Sequence, residues 1–165
     1  MGPEQKLYRK LKSKTPKIIW NRIENLTIPG MPDLLGYNAN KHFFTVELKV
    51  TKGKKIRFSP HQISFHVTHP ENTFILVQTL GQGTGIRFQL YPGSGILALQ
   101  SSGRDLEPFC LGLDAIRDFL YLYSSNFYNL CIHCLAVHWD MLRPLSPRLK
   151  YLASWQVLPG LSWAR

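Results

Sequence analysis

Residues 43–50 most constrain the fold of this chain, because apolar and polar side chains alternate along them. Every even position is apolar, whereas Thr45, Glu47 and Lys49 occupy the odd positions that follow Phe43. Successive side chains of a β-strand point to opposite faces of its sheet. The pattern therefore predicts a strand with one face in the core and a second face that carries Glu47 and Lys49 together.

Hydrophobic spacing and turn residues predict further elements around this strand. Helices are predicted over Glu4 to Lys14, from the Ser59-Pro60 start to about Val67, over Gly93 to Gln100 and over Leu106 to about Tyr128. Strands are predicted over Lys17 to Arg22, Asp33 to Tyr37, Phe43 to Val50, Thr73 to Leu80 and Ile86 to Tyr91. Together they predict an α/β core of about four or five strands. Beyond it, helices are indicated around Leu130 to Trp139 and Leu149 to Trp155.

A length of 165 residues with 44% hydrophobic content suits one folded domain and leaves little room for two. We expect a core over residues 1–105 and a helical C-terminal extension over residues 106–165, with a single undivided domain as the alternative. Three cysteines and a charged N-terminus without an apolar run favour a reducing, intracellular, cytoplasmic setting. No membrane-spanning segment is predicted, because no run of roughly 18 apolar residues occurs.

Positive charge is concentrated in the first third of the chain. Residues 1–60 carry 13 Lys and Arg against 4 Asp and Glu, whereas residues 61–165 carry 7 against 6, of a net +10 overall. Such an excess favours polyanions through release of counterions from phosphates. The charge predicts nucleic-acid binding, although a solvated basic arm would give the same composition.

Asp33 and Glu47 could supply the carboxylate pair that a phosphodiester-cleaving site needs to hold a divalent cation. They are predicted at the start of one strand and within its neighbour, where two acids distant in sequence can meet at one Mg²⁺ or Mn²⁺. Lys49 would point into the same cleft and orient water or stabilise the phosphate. The alternative from the residues alone is an exposed strand face with an ordinary Glu and Lys pair.

These residues resemble the PD-(D/E)XK nuclease superfamily. Pro32-Asp33, thirteen residues and Glu47-Leu48-Lys49 match its motif; the segments around them and Ser59-Pro60-His61-Gln62 look most like its VRR-NUC and phage Holliday-junction-resolvase-like branch. The resemblance covers roughly residues 4–92. It implies a restriction-endonuclease-like core, a central mixed β-sheet flanked by helices, in a bacterial or phage-infected cell.

The resemblance also implies roles for single residues. Asp33, Glu47 and the backbone carbonyl of Leu48 would hold Mg²⁺ or Mn²⁺, and Lys49 would serve the water or the phosphate. Gln62 matches a glutamine near the active centre of the family. An additional glutamate commonly joins the site in that family, and Glu4 is the first candidate for it and Glu24 the second. Glu4 could equally be a helix-capping acid. The implied function is metal-dependent endonuclease cleavage of DNA, in particular branched DNA in replication, repair or recombination.

Partners follow from the charge and the resemblance. The residues expected to contact phosphates of duplex or branched DNA are Arg9, Lys10, Lys12, Lys14, Lys52, Lys54, Lys55 and Arg57. Trp20 and Tyr37 could stack on a base, but core packing is favoured for both. Many relatives act as homodimers. The rival hypothesis is a noncatalytic nucleic-acid-binding module on the same fold.

Two other groups of residues are weaker candidates for a metal site or a general base. Cys131, His133, Cys134 and His138 resemble part of a zinc site, but a second ligand pair at matching spacing is missing, so buried free cysteines are favoured. His61 adjoins Gln62 and could approach the substrate. Because Lys49 already fills the role, the histidines stay outside the predicted catalytic set.

Overall fold

The computed structural model describes residues 1–23, 29–81 and 85–123. In this part of the chain six strands form one sheet in the order β1-β2-β3-β4-β5-β6. The strands are β1 (Ile19–Arg22), β2 (Leu34–Tyr37), β3 (Phe43–Thr51), β4 (Thr73–Gly81), β5 (Gly85–Pro92) and β6 (Cys110–Leu111). The helices are α1 (Pro3–Lys14), α2 (Pro60–Thr68), α3 (Ile96–Ser102) and α4 (Leu113–Leu122).

The sheet is mixed. β3 and β4 run parallel and are joined through α2, whereas every other neighbouring pair is antiparallel. A parallel pair needs a crossover, and a helix between the strands supplies it. The predicted α/β class, a central mixed sheet flanked by helices, is confirmed, with six strands where four or five were expected.

Helices cover both faces of the sheet. On one face Leu7 and Leu11 of α1 and Ile116 and Leu120 of α4 pack with the apolar side chains of the strands. On the other face α3 packs over β4 and β5 in a smaller core, and the helix α2 contributes Ile63 there. We call these the α1/α4 face and the α2/α3 face.

β3 has the predicted alternation. Phe44, Val46 and Leu48 are buried in the core of the α1/α4 face, and Val50 packs against it. Glu47 lies on the other face of the sheet. It pairs with Ile75 of β4, whose side chain belongs to the smaller core. The chemistry predicted for the odd positions of β3 is therefore placed on the α2/α3 face.

One predicted helix is wrong at its start. Residues 106–109 are not helical; the chain then forms β6 against β5, and α4 begins at Leu113. Pro108 lacks a backbone N–H and disfavours helical geometry in the residue before it. Gly112 adopts φ 89°, which separates β6 from α4. The expected continuation to Tyr128 lies outside the described residues beyond position 123.

The chain divides into two compact units, Met1–Ser124 and Ser125–Arg165. All six strands and four helices above belong to the first unit. Several sequence predictions lie outside the described residues: the helices at 130–139 and 149–155, Glu24, and the cluster from Cys131 to His138. Within the described ranges, no helix is both long and apolar enough to cross a membrane.

Candidate active site

Asp33 and Glu47 meet where β2 and β3 separate. Leu34 of β2 pairs with Val46, so the next position on each strand brings Asp33 opposite Glu47. There the ladder changes: the backbone N–H of Leu48 donates to Asp33 Oδ2 at 2.8 Å. In an extended strand the N–H and C=O of one residue point to the same side. The Leu48 carbonyl therefore faces the same edge as the Asp33 carboxylate.

The loop before Asp33 is held against the start of α2. Gly30 adopts φ 86°, a left-handed conformation that other residues rarely take. A Cβ on Gly30 would lie 2.3 Å from the backbone oxygen of His61, in the first turn of α2. The close approach requires glycine, and it places the Asp33 loop beside the helix that carries Gln62.

Glu47 is buried, with 1% of its surface exposed. Its Oε1 accepts a short hydrogen bond from Gln62 Nε2 and forms an ion pair with Lys49 Nζ at 2.9 Å. Its Oε2 is buried and has no hydrogen-bond partner among the described residues. A buried carboxylate oxygen without a partner is costly, and it suits a group that binds there.

Gln62 joins the helix start to the site. Ser59 Oγ accepts from the Gln62 backbone N–H, and Gln62 Oε1 accepts from the Ser59 N–H at 3.0 Å, which completes a capping box. The same Oε1 accepts from Lys49 Nζ at 3.1 Å. The ammonium of Lys49 also lies 5.5 Å from the centre of the Phe58 ring. One amide thus fixes both Glu47 and Lys49.

Three carboxyl groups near this point have raised pKa values. Burial and the neighbouring Asp33 raise the pKa of Glu47 to about 7, although Lys49 opposes the shift. Burial raises the pKa of Asp33, against the Leu48 N–H and the charges of Lys49 and Arg22. Burial and then Asp33 also raise the pKa of Glu4. Burial is the largest cause of all three shifts, so the ionised forms of these carboxyl groups are poorly solvated here.

The donors fit a hard divalent cation. Asp33 and Glu47 offer carboxylate oxygens, Glu47 Oε2 is unpartnered among the described residues, and the Leu48 carbonyl faces the same edge. No three His, Cys, Asp or Glu side chains in the described ranges form a metal-binding group by themselves. A cation would therefore take two carboxylates and the carbonyl, and Glu4 stays a prediction as an additional group.

The basic residues predicted to contact phosphates fall into two groups. Lys52, Lys54, Lys55 and Arg57 are exposed in the segment that leaves β3 after Lys49 and returns to the site at Phe58. This segment is anchored: the Arg104 N–H donates to the Lys54 carbonyl at 2.9 Å, and Lys54 Nζ pairs with Asp105 at 3.2 Å.

The second group lies on α1. Arg9, Lys12 and Lys14 are exposed and Lys10 is half-buried. A helix rises 1.5 Å per residue, so Lys14 lies roughly 15 Å along the axis from Glu4. Lys14 pairs with Asp114 of α4 at 3.7 Å, and Lys10 Nζ lies 5.8 Å from the Phe88 ring centre. The α1 group thus leads away from the carboxylates, whereas the loop group flanks them.

Sequence reasoning missed two side chains at this site. Arg22, at the end of β1, lies near enough to Asp33 and Glu4 to oppose the rise of both pKa values. The pairing of Arg22 with Leu34 places Arg22 near Asp33, but this strand register is known only from the folded structure. Phe58 against Lys49 was not foreseen either, since an aromatic residue in a basic loop carries no distinctive spacing.

Other candidates take structural roles. Trp20 is in the core of the α1/α4 face, and its Nε1 donates to Thr15 Oγ1 at 2.8 Å, as favoured from the sequence. His61 is exposed. His66 is buried on α2, and neither ring nitrogen has a partner among the described residues. Burial, with Lys49 nearby, lowers the pKa of His66 to about 4, so its ring is neutral near pH 7.

Comparisons with known proteins find matches among solved structures. No family model matches the chain, and no curated protein matches it. Among solved structures, it is similar to a Holliday junction resolvase, Hjc, of Archaeoglobus fulgidus, with a TM-score of 0.39 and 19% identity over 55% of this chain and 74% of that one.

Proposed function

We propose that this chain is a metal-dependent nuclease that hydrolyses phosphodiester bonds of DNA at Asp33, Glu47 and Lys49. One observation carries the proposal: a buried Glu47 beside Asp33 keeps one carboxylate oxygen unpartnered among the described residues. The alternative, an exposed strand face with an ordinary Glu and Lys pair, would leave that carboxylate in contact with water.

The protein's own residues divide the work. Asp33, held by the Leu48 N–H, and Glu47, held by Gln62, would hold Mg²⁺ or Mn²⁺ with the Leu48 carbonyl. A bound divalent cation supplies neutralisation of charge on the phosphate and a more acidic water. Lys49 has three donor hydrogens, and contacts with Glu47 and Gln62 hold its ammonium beside the carboxylates. It would orient the attacking water or donate to a phosphate oxygen.

Branched DNA is the substrate that we propose first, and duplex DNA is the comparison. The preference comes from the sequence resemblance to resolvase-like nucleases. The basic segment 52–57 flanks the carboxylates and would contact the phosphate backbone, which positions a substrate without reading its sequence.

The test is cleavage of labelled four-way-junction, duplex and single-stranded DNA with Mg²⁺, Mn²⁺ or EDTA. The wild type is compared with Asp33→Asn, with Lys49→Ala and with Asp114→Asn, which removes an exposed carboxylate of a surface ion pair. We expect metal-dependent cutting that Asp33→Asn and Lys49→Ala lose and Asp114→Asn keeps. Binding without cutting in every metal would reject the enzyme and leave the noncatalytic binding module.

A further inference from the structure

Three apolar side chains form a row across the edge of the sheet on the face that carries Glu47. Ile19 pairs with Tyr37, and Tyr37 pairs with Phe43, so the three lie side by side on β1, β2 and β3. Ile19 is 62% exposed and Phe43 58% exposed. The Tyr37 and Phe43 rings are 4.5 Å apart at 37°. We call this row the aromatic shelf.

The shelf is not part of the core. Neither hydrophobic cluster formed by the described residues includes Ile19, Tyr37 or Phe43. Ile19 and Phe43, with the partly buried Tyr37 between them, leave apolar surface in contact with water, which is unfavourable unless a partner covers it. The described part of the chain therefore leaves this surface available for a ligand.

The shelf and the carboxylates share one strand and one face. Phe43 and Glu47 are four residues apart on β3, and residues two and four apart on a strand point the same way. At about 3.3 Å per residue the separation is roughly 13 Å. A stacked nucleic-acid strand advances about 3.4 Å per nucleotide, so the shelf lies within about four nucleotides of the site.

Charge around the shelf suits a polyanion. Lys41 lies in the turn between β2 and β3 and is exposed, whereas the ammonium of Lys17 lies 5.9 Å from the ring centre of Tyr121 on α4. Residues 15–23 and 34–46 contain no Asp or Glu. The turn is well anchored, because Asn38 Nδ2 donates to the carbonyls of Leu120 and Tyr123.

We propose that the aromatic shelf binds unpaired bases of the DNA strand that is cut at the Asp33–Glu47 site. This inference rests on the proposed nuclease function and narrows its substrate to DNA with an unpaired segment beside the scissile phosphate. Base–aromatic stacking tolerates any sequence, because every base has a π-face. A base inside a duplex has its faces covered by its neighbours, so only an unpaired base can stack on Tyr37 and Phe43.

A second copy of the chain fits the shelf less well. A stable protein interface buries about 1,200–2,000 Å² in total. Even a fully buried aromatic side chain contributes only about 150–250 Å². One exposed phenylalanine ring, one partly buried tyrosine ring and one isoleucine fall well short of that area, whereas one or two bases match it.

The test measures binding in EDTA, where cleavage cannot contribute. Fluorescence anisotropy with a labelled dT12 strand and a 12-base-pair blunt duplex compares the wild type with Phe43→Ala, Phe43→Leu and Phe43→Trp. Leu97→Ala is the matched control, since Leu97 is an exposed apolar residue, 57% exposed, on α3. We expect Phe43→Ala and Phe43→Leu to weaken single-strand binding about tenfold, Phe43→Trp to retain it, and duplex binding to change less than twofold.

A second readout places the contact. 2-Aminopurine at successive positions of the strand should be quenched on binding at one or two adjacent positions, and Tyr37→Ala or Phe43→Ala should remove the quenching. Equal losses on strand and duplex, full binding by Phe43→Leu, or a loss of dimer mass in sedimentation on Phe43→Ala would each overturn the proposal.

The failures of the two proposals are distinguishable. Unchanged strand binding by Phe43→Ala beside metal-dependent cleavage that needs Asp33 would reject the shelf and keep the nuclease. Phe43-dependent strand binding beside absent cleavage in every metal would reject the nuclease, and with it the assignment of the bound bases to a strand that is cut.

Discussion

The two faces of the sheet differ in how they treat buried polar groups. On the α1/α4 face, Thr15 and Asn38 are buried but hydrogen-bonded: Thr15 Oγ1 donates to the Leu11 carbonyl, and Asn38 Nδ2 donates to two carbonyls. On the α2/α3 face, Thr45 Oγ1, Glu47 Oε2 and both His66 ring nitrogens are buried without partners among the described residues.

This difference separates stability from function. A buried polar group without a partner weakens the fold, so such groups persist where a ligand or water completes them. The α1/α4 face supplies a satisfied apolar core, and the α2/α3 face carries unsatisfied groups around Glu47. Variants on adjacent positions of β3 can therefore separate the two contributions.

The largest difference is expected between Glu47→Gln and Val46→Ala, neighbours on opposite faces of β3. Glu47→Gln removes a carboxylate that we propose as a ligand of the cation, and we expect cleavage to fall roughly 10³-fold with the fold kept. Val46→Ala leaves a cavity in the core, and we expect the free energy of unfolding to fall by about 2–4 kcal/mol. Cleavage rates and urea unfolding measure the two effects.

Cleavage per folded molecule should be unchanged in Val46→Ala. The distinction between the faces would be lost if Glu47→Gln retained metal-dependent cleavage or if Val46→Ala abolished it in molecules that remain folded.

The pH dependence of stability should also differ between wild type and Glu47→Gln. In the fold the pKa of Glu47 is about 7 rather than the ordinary 4.5. The folded state then holds more protons than the unfolded state between these values, so unfolding free energy falls as pH rises from 4.5 to 7. We expect the contribution of Glu47 to this loss to be about 3 kcal/mol in metal-free wild type and to be absent from Glu47→Gln.

His66 opposes this trend and must be considered separately. The pKa of His66 in the fold is about 4 against an ordinary 6.5, so its contribution rises with pH over that range. The measurement is therefore the difference between wild type and Glu47→Gln in urea unfolding with EDTA, from pH 4.5 to pH 8. A constant difference across that range would show that Glu47 is not a destabilised carboxylate.

Gly93→Ala probes how tightly the α2/α3 face is packed. A Cβ there would lie 1.9 Å from Thr73 Oγ1 and 2.6 Å from His66 Nδ1. We expect a loss of about 2 kcal/mol in unfolding free energy, because the neighbours cannot all move away. Gly53→Ala is the matched control, since nothing lies within 4 Å of its Cβ position. Equal stability of the two variants would mean that the groups around His66 are loosely packed.

The smallest expected effect concerns the start of α2. Ser59→Ala removes the acceptor for the Gln62 backbone N–H and should cost about 1 kcal/mol. Cleavage should change little, because the Gln62 side chain still meets the Ser59 N–H, Glu47 and Lys49. Gln62→Ala should lower stability similarly and cleavage strongly. If both variants lost cleavage equally, helix capping rather than the amide contacts would control the site.

The sequence predicts those features of the site that depend on residues close together in the chain, and it does not predict those that depend on residues far apart. The Glu47 and Lys49 placement follows from strand alternation within eight residues, and the Ser59-Pro60 start of α2 follows from local capping preferences. The unpartnered Glu47 oxygen, Arg22 beside Asp33 and Gly30 against His61 depend on contacts between distant elements. No local pattern encodes these contacts.

The failed helix prediction has the same cause. Residues 106–112 contain helical spacing, but Pro108 and Gly112 interrupt it, and pairing with β5 satisfies the backbone of Cys110 instead. Hydrophobic periodicity and helix propensity are properties of one segment, and they do not show that β5 offers an edge with which residues 110–111 can pair.

The sequence by itself determined the α/β class, the two faces of β3 and the candidacy of Asp33, Glu47 and Lys49, because alternation and capping act within a few residues. Only the tertiary structure decided that Glu47 is buried, that Gln62 joins it to Lys49 and that the Phe43 ring is exposed beside Tyr37 on the same face of the sheet. Burial and register arise when strands far apart in the chain pack together, and that packing sets the electrostatics of the site.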